Sequence, residues 1–135
     1  MSLSGRQPSD LGMKGGRLAP PKPKPNNVSS QADSSDRAHY VEPIAFRAST
    51  AEAMAAAKRA IETIGRATIA REEPAYLHAE FRSKLLGFVD DLELLHDEKA
   101  GVFHVRSGAR LGYSDFGVNR GRVEALRALL QARGS

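Results

Sequence analysis

The 135-residue chain contains no cysteine and no tryptophan. Without cysteine there is no disulfide, no thiolate nucleophile and no thiolate metal site. That composition suits a reducing compartment. Without tryptophan there is no tryptophan-rich stacking platform. No apolar run approaches the ~20 residues that span a bilayer, so no transmembrane segment is expected. The opening Met1 to Arg6 lacks the apolar core of a secretory signal. A cytoplasmic location follows as the expectation, although an exported chain with its signal removed would read the same way. Hydrophobic residues make up 41% of the chain, an ordinary value for one domain with a modest core.

The net charge of +4 invites a nucleic-acid partner, but the charge is unevenly placed. Arg6, Lys14, Arg17, Lys22 and Lys24 stand against Asp10 alone in residues 1–25, and residues 26–135 carry 15 basic and 15 acidic side chains. A neutral domain lacks the long-range field that drives phosphate binding, so nucleic acid is not expected as a partner.

Residues 1–37 read as a disordered basic tail and linker. The run Pro20-Pro21-Lys22-Pro23-Lys24-Pro25 favours extended polyproline II, and Ser29, Ser30, Ser34 and Ser35 continue the low-complexity character. A single α+β domain is expected over 38–135. A first strand is predicted over 39–46, with Pro43 pushing it to an edge. Ser49 and Glu52 form a capping-box pattern opening a helix striped with Met54, Ala57, Ile61 and Ile64, and Gly65 ends it. Strands are predicted over 67–72, 76–82, 88–96 and 102–107, with Asp97 to Gly101 as a hairpin turn. Alternation puts Leu77, Ala79, Phe81, Phe88, Leu92, Leu94, Phe103 and Val105 on an apolar face, and Tyr76, His78, Glu80, Arg82, Asp91, Glu93, His104 and Arg106 on a solvated one. A last helix is predicted over 120–133, capped by Asn119, stapled by Val118 and Val123, and stopped at Gly134. The order β-α-β-β-β-β-α implies a two-layer fold: a mainly antiparallel sheet of four to five strands with both helices on one face.

Several stretches resemble a known family. They are Ser4 to Pro8, Asp10-Leu11-Gly12, Leu18-Ala19-Pro20, Asn26 to Gln31, His39 to Pro43, Tyr76 to Ser83, Phe88 to Asp91, and Arg106-Ser107 through Gly112 to Arg120. Together they resemble the domain of unknown function 1499 family, a likeness that spans nearly the whole chain and implies no activity. Family members commonly carry cysteines where this chain has Pro21 and Asn27. Their joint absence implies that the pair they form elsewhere, whether disulfide or metal-bound, is missing here.

Two constellations are candidates for chemistry. The first is the loop from the last strand to the last helix, with Arg106, Ser107, Arg110, Tyr113, Ser114, Asp115, Asn119 and Arg120 beside Gly108, Gly112 and Gly117. Arginines around a helix start can hold a phosphate or carboxylate. The competing reading is structural, with Arg110, Tyr113, Asp115 and Asn119 in one hydrogen-bonded cluster. The second is a patch of His78, Arg82, Asp90, Asp91 and Glu93. Asp90 falls on the apolar face, where a carboxylate needs partners or a raised pKa; Ser107 and Arg110 are in reach, and backbone amides of the following loop are the expected partners. Glu93 should face Arg106 as an exposed cross-strand pair, each worth about 0.5 kcal/mol. No His-x-His or His-x-x-x-His spacing and no nucleophile-elbow motif occurs, so neither a metal site nor a Ser-His-Asp triad is expected, and no cofactor is implied. The reading is a non-catalytic binding module for a small anionic ligand or a protein partner. The alternative is a small hydrolase or isomerase with Asp90 or Asp115 as base and Arg110 as anion holder. A catalytic carboxylate should line a cleft; a structural one should be saturated by backbone donors.

Overall fold

In the computed structural model, residues 5–83 and 87–132 are described. The chain is α+β, with a mainly antiparallel sheet and two helices on one face. The strands β1 (Met13–Lys14) and β2 (Arg17–Leu18) form a small hairpin. Then come β3 (Asn27–Ser29), β4 (Ile44–Ala45), helix α1 (Thr50–Ile64), β5 (Ala67–Glu72), β6 (Tyr76–Arg82), β7 (Val89–Asp97), β8 (Val102–Ala109) and helix α2 (Val118–Gln131). The main sheet runs β3-β8-β7-β6-β5, with β4 also pairing β8. Strands β5 to β8 are successive antiparallel hairpins, as their alternation predicts. The expected helix end at Arg133 and stop at Gly134 lie outside the described residues. No helix among the described residues is long and apolar enough to cross a membrane.

The capping box of α1 is formed in both directions: Glu52 N donates to Ser49 Oγ (3.1 Å) and Ser49 N to Glu52 Oε1 (3.3 Å). Ala53, Ala57 and Ala60 on its inner face are small enough to let the helix close onto the sheet, while Met54 and Ile61 fill the remaining space. Val123, Leu126 and Leu130 of α2 complete a core with Leu77, Ala79, Leu92, Leu94, Phe103 and Val105. The expected strand over 39–46 shrinks to β4 and one parallel bridge from Tyr40 to Ser29, because Pro43 has no N–H to give a ladder. Phe88, expected inward, precedes the strand and is exposed.

The largest departures concern residues 5–37 of the expected tail and the polar face. The expected boundary at residue 38 is not followed by the sheet: β3 pairs with β8 (Val28 opposite Ser107), and Val28 joins the core. At Gly108 the two strands come so close that a side chain there would begin 2.8 Å from Asn27 Cβ. Residues 5–31 then cross the face expected to be solvated. Leu18 packs on Tyr76 and Leu95 as a second small apolar cluster. Asn27 clamps the Pro-rich turn, its Nδ2 donating to Lys22 O (3.2 Å) and Lys24 O (2.8 Å) and its Oδ1 accepting from Lys22 N (2.9 Å). Tyr76, His78, Asp91, Glu93 and Arg106 are therefore buried. A segment poor in apolar residues can dock because it brings charge and amides: Asp10 pairs with Arg106, and Gly12 N donates to Glu93 Oε2 (2.7 Å) and Tyr76 Oη (3.1 Å).

Glu93 does face Arg106, at 2.8 Å, but only 1% and 7% of the two residues is exposed. The expected cost of about 0.5 kcal/mol is corrected accordingly. Arg106→Ala leaves Glu93 buried without its cation and should cost about 3 to 5 kcal/mol. Urea unfolding measures this; a loss below ~1 kcal/mol would mean that water reaches the pair.

Candidate functional site

The first candidate constellation separates into three places. Arg106 lies under the N-terminal segment. Arg110 turns away from the loop and onto the sheet, its Nε and Nη2 donating to Asp91 (both 2.8 Å) and its Nη2 also to Glu80 (2.7 Å). Arg120 bonds the carbonyls of Arg37, Ala38 and Tyr40. Ser107 is buried and donates to Asn119 Oδ1 (2.7 Å). Asn119 is not the cap; it sits inside α2, fully buried. Asp115 does the capping: Oδ1 accepts from Gly117 N (2.9 Å), and Oδ2 from Asn119 N (3.0 Å) and Asn119 Nδ2 (2.7 Å). Ser114 Oγ accepts from Phe116 N (3.2 Å). Tyr113 is exposed. Of the expected four-residue cluster only Asp115 and Asn119 meet, because the two carboxylates on the sheet claim Arg110.

The second patch also divides. Arg82 is exposed at the end of β6. His78 Nε2 donates to Asp91 Oδ1 at 2.6 Å, both buried. Ligand atoms of His78, Glu80 and Asp91 lie within 4.8 Å of one another, spacing that would suit a cation. The cation between the two carboxylates is the Arg110 guanidinium. Burial alone would raise the pKa of Asp91, but hydrogen bonds from Arg110 and His78 outweigh it and hold it below the ordinary value. Hydrogen bonds to Asp91, ahead of the cost of burial, raise the pKa of Arg110.

Asp90 behaves differently. It lies on the helix face of β7, and neither Ser107, Arg110 nor a loop amide is its partner. Arg122 of α2 donates to its Oδ2 (2.9 Å), with the guanidinium stacked 4.7 Å from the centre of the Phe81 ring. Among the described residues, none donates a hydrogen bond to Oδ1. Burial raises the pKa of Asp90 above the ordinary value, against the lowering effect of Arg122; Asp115 and Asp91 add to the rise.

Asp90 lines a cleft of about 270 Å³ with Phe88, Val89, Leu111, Asp115 and Val118, at the end of the sheet where the β8–α2 loop folds back. Of the five exposed large hydrophobic side chains among the described residues, Phe88, Leu111 and Val118 line this cleft, and Tyr113 and Phe116 belong to the β8–α2 loop that borders it. Phe116 is 95% exposed and adopts a left-handed φ of 54°, followed by Gly117 at 83°. For a residue other than glycine that backbone costs about 1–2 kcal/mol. Tyr113, Ser114 and Asp115 were read from the sequence; Phe88, Leu111, Phe116, Val118 and Arg122 were not. Apolar residues interleaved with glycines in a loop otherwise fit to be polar were the available signal.

A six-stranded sheet under two helices, with a covered polar face and an open apolar cleft at one end, defines the class: a small α+β domain without a recognisable catalytic centre among its described residues. The chain belongs to the family described as Protein of unknown function (DUF1499), whose model matches residues 17–130. No curated protein and no solved structure matches it.

Asp91 supplies a test. Its folded pKa is depressed, so it stabilises the fold above the ordinary carboxylate value of 3.8, and that contribution is lost as pH falls through the lower folded value. Unfolding free energies measured by urea titration over roughly pH 6 to pH 2, where carboxylates titrate, should show a steeper acid arm for wild type than for Asp91→Asn. Parallel arms would remove Asp91 from the buried network.

Proposed function

We propose that this domain is a binding module whose docking site is the cleft at the end of the sheet, and that its ligand is an apolar segment of a protein partner. The observation that carries the reading is that Phe88, Leu111 and Val118, all exposed, line one concave site, with exposed Tyr113 and Phe116 in the loop that borders it. Isolated exposed apolar residues are ordinary; a cluster beside a cleft marks a place where something binds. The left-handed backbone of Phe116, held by Ser114 and Asp115, fits this reading, because it presents the ring outward at a cost in stability. Arg106, Arg110 and Arg120 are each bound to carboxylates or carbonyls, and the charged residues lining the cleft are both acidic. Those facts favour a protein partner over a small anion.

A second reading is favoured by one observation. Asp90 lines the cleft, has one carboxylate oxygen without a donor among the described residues and has a raised pKa, which are properties of a general base. Both oxygens of Asp115 are engaged by backbone and amide donors, which favours a structural role for it. An Asp90 base would give the domain a pH-dependent hydrolase activity that Asp90→Asn removes while folding persists.

The docking reading is tested with Nile red, a neutral apolar dye. Its fluorescence should rise on the native protein and fall to the buffer level with Leu111→Asp, while the urea midpoint is unchanged. No rise on the native protein would sink the reading. Phe116→Gly should raise stability by up to about 1 kcal/mol through relief of the left-handed strain and at the same time weaken dye binding; equal or lower stability would mean the Phe116 backbone carries no strain.

A further inference from the structure

We infer that the partner segment for this cleft is apolar with a single cationic side chain, a lysine flanked by large hydrophobic residues, and that the free oxygen of Asp90 receives the ammonium group. The inference rests on the docking reading above and adds the chemistry of the ligand. It starts from the walls. Phe88, Val89, Leu111 and Val118 are apolar, and among the described residues of the lining the charged ones are Asp90 and Asp115, both acidic. The two carboxylates are not equivalent. Asp115 accepts three hydrogen bonds from Gly117 and Asn119, so both of its oxygens are already engaged by the helix start. Asp90, which also lines the cleft, accepts one among the described residues, from Arg122 at Oδ2, and its Oδ1 has no donor among them.

Arg122 does not supply the missing charge on the cleft side. Its guanidinium is fixed by Asp90, by Asn119 Oδ1 at 3.0 Å and by the Phe81 ring, on the helix side of the carboxylate. A charge facing apolar walls with a neighbouring carboxylate is poorly stabilised, as the raised pKa of Asp90 reflects. A cation arriving with an apolar segment would neutralise it in a site shielded from water, where charge-assisted hydrogen bonds are strong. The volume suits a side-chain-sized group, being smaller than the sites that enclose whole drug-sized molecules. Tyr113 and Phe116 are exposed in the same loop as Leu111 and Ser114 of the lining and offer apolar surface for flanking residues of a peptide.

The experiment uses the full chain labelled with ¹⁵N and three blocked peptides, acetyl-Gly-Phe-Lys-Leu-Gly-amide and its counterparts with glutamine or glutamate in place of lysine. Amide shifts of Val89, Leu111 and Val118 are followed during titration. The lysine peptide should bind tightest, by roughly tenfold over the glutamine peptide, with the glutamate peptide weakest. Asp90→Asn should bring the lysine peptide down to the glutamine level and leave the glutamine peptide unchanged, which also reports that the variant is folded. Equal binding of all three peptides would overturn the cationic ligand while the docking site stands. A lysine preference that survives Asp90→Asn would overturn the role of Asp90. No shift at these amides with any peptide would overturn the docking reading and this inference with it.

Discussion

A buried arginine organises one whole side of this protein. Arg106 stands between Glu93 on the neighbouring strand and Asp10 nearly a hundred residues earlier in the chain. Charges in a sheet centre are costly unless paired and covered. Here the cover is the N-terminal segment, which contributes the second carboxylate and the Gly12 amide to the same network. The sheet is therefore buried on both faces by different means. Helices cover one side with aliphatic side chains; an irregular segment covers the other mostly with hydrogen bonds, reinforced by Leu18. The second network, with Arg110 bridging Asp91 and Glu80 while His78 bonds Asp91, lies on the same face and extends the same logic toward the end of the sheet.

These two networks leave the cleft as the region where polar and apolar surface are not matched. Arginines that might have served an anion are engaged in holding the structure together. The exposed apolar residues and the half-satisfied Asp90 sit outside those networks. A functional reading that begins with the arginines, because they are numerous, starts from groups whose work is structural.

Local signals in the sequence were faithful. Ser49 and Glu52 announced α1 and its cap, and the alternation of 76–82 gave β6 with its boundaries. The pairing of Glu93 with Arg106 followed from one register assumption. What local patterns could not report was the partner of the polar face. Tyr76, His78, Glu80, Arg82 on alternate positions read as solvated because exposed strands look that way, and nothing within the strand says that Gly12 and Asp10 will lie over it. For the same reason Asn119 looked like a cap: its type and position fitted, but Asp115 four residues earlier had the geometry to bond the amides of the helix start. Ser107 and Asn26 then used Asn119 as a buried bridge between sheet, helix and N-terminal segment.

The long separation between Asp10 and Arg106 has a bearing on how the chain is made. Synthesis delivers residues 5–31 first, yet their docking surface requires β7 and β8, which emerge from the ribosome last among the strands. Until then the segment has no complement for its carboxylate and no edge for Val28 to join. Its low apolar content is then an advantage, since a polar, proline-interrupted stretch can wait in water without seeking other chains. The same ordering makes closure of that face a late, non-local step, slower than the hairpins it covers. Conditions that unlatch the segment would expose the charged side of a sheet whose helical side is still packed, giving an opened state that reclosure can restore without rebuilding the core.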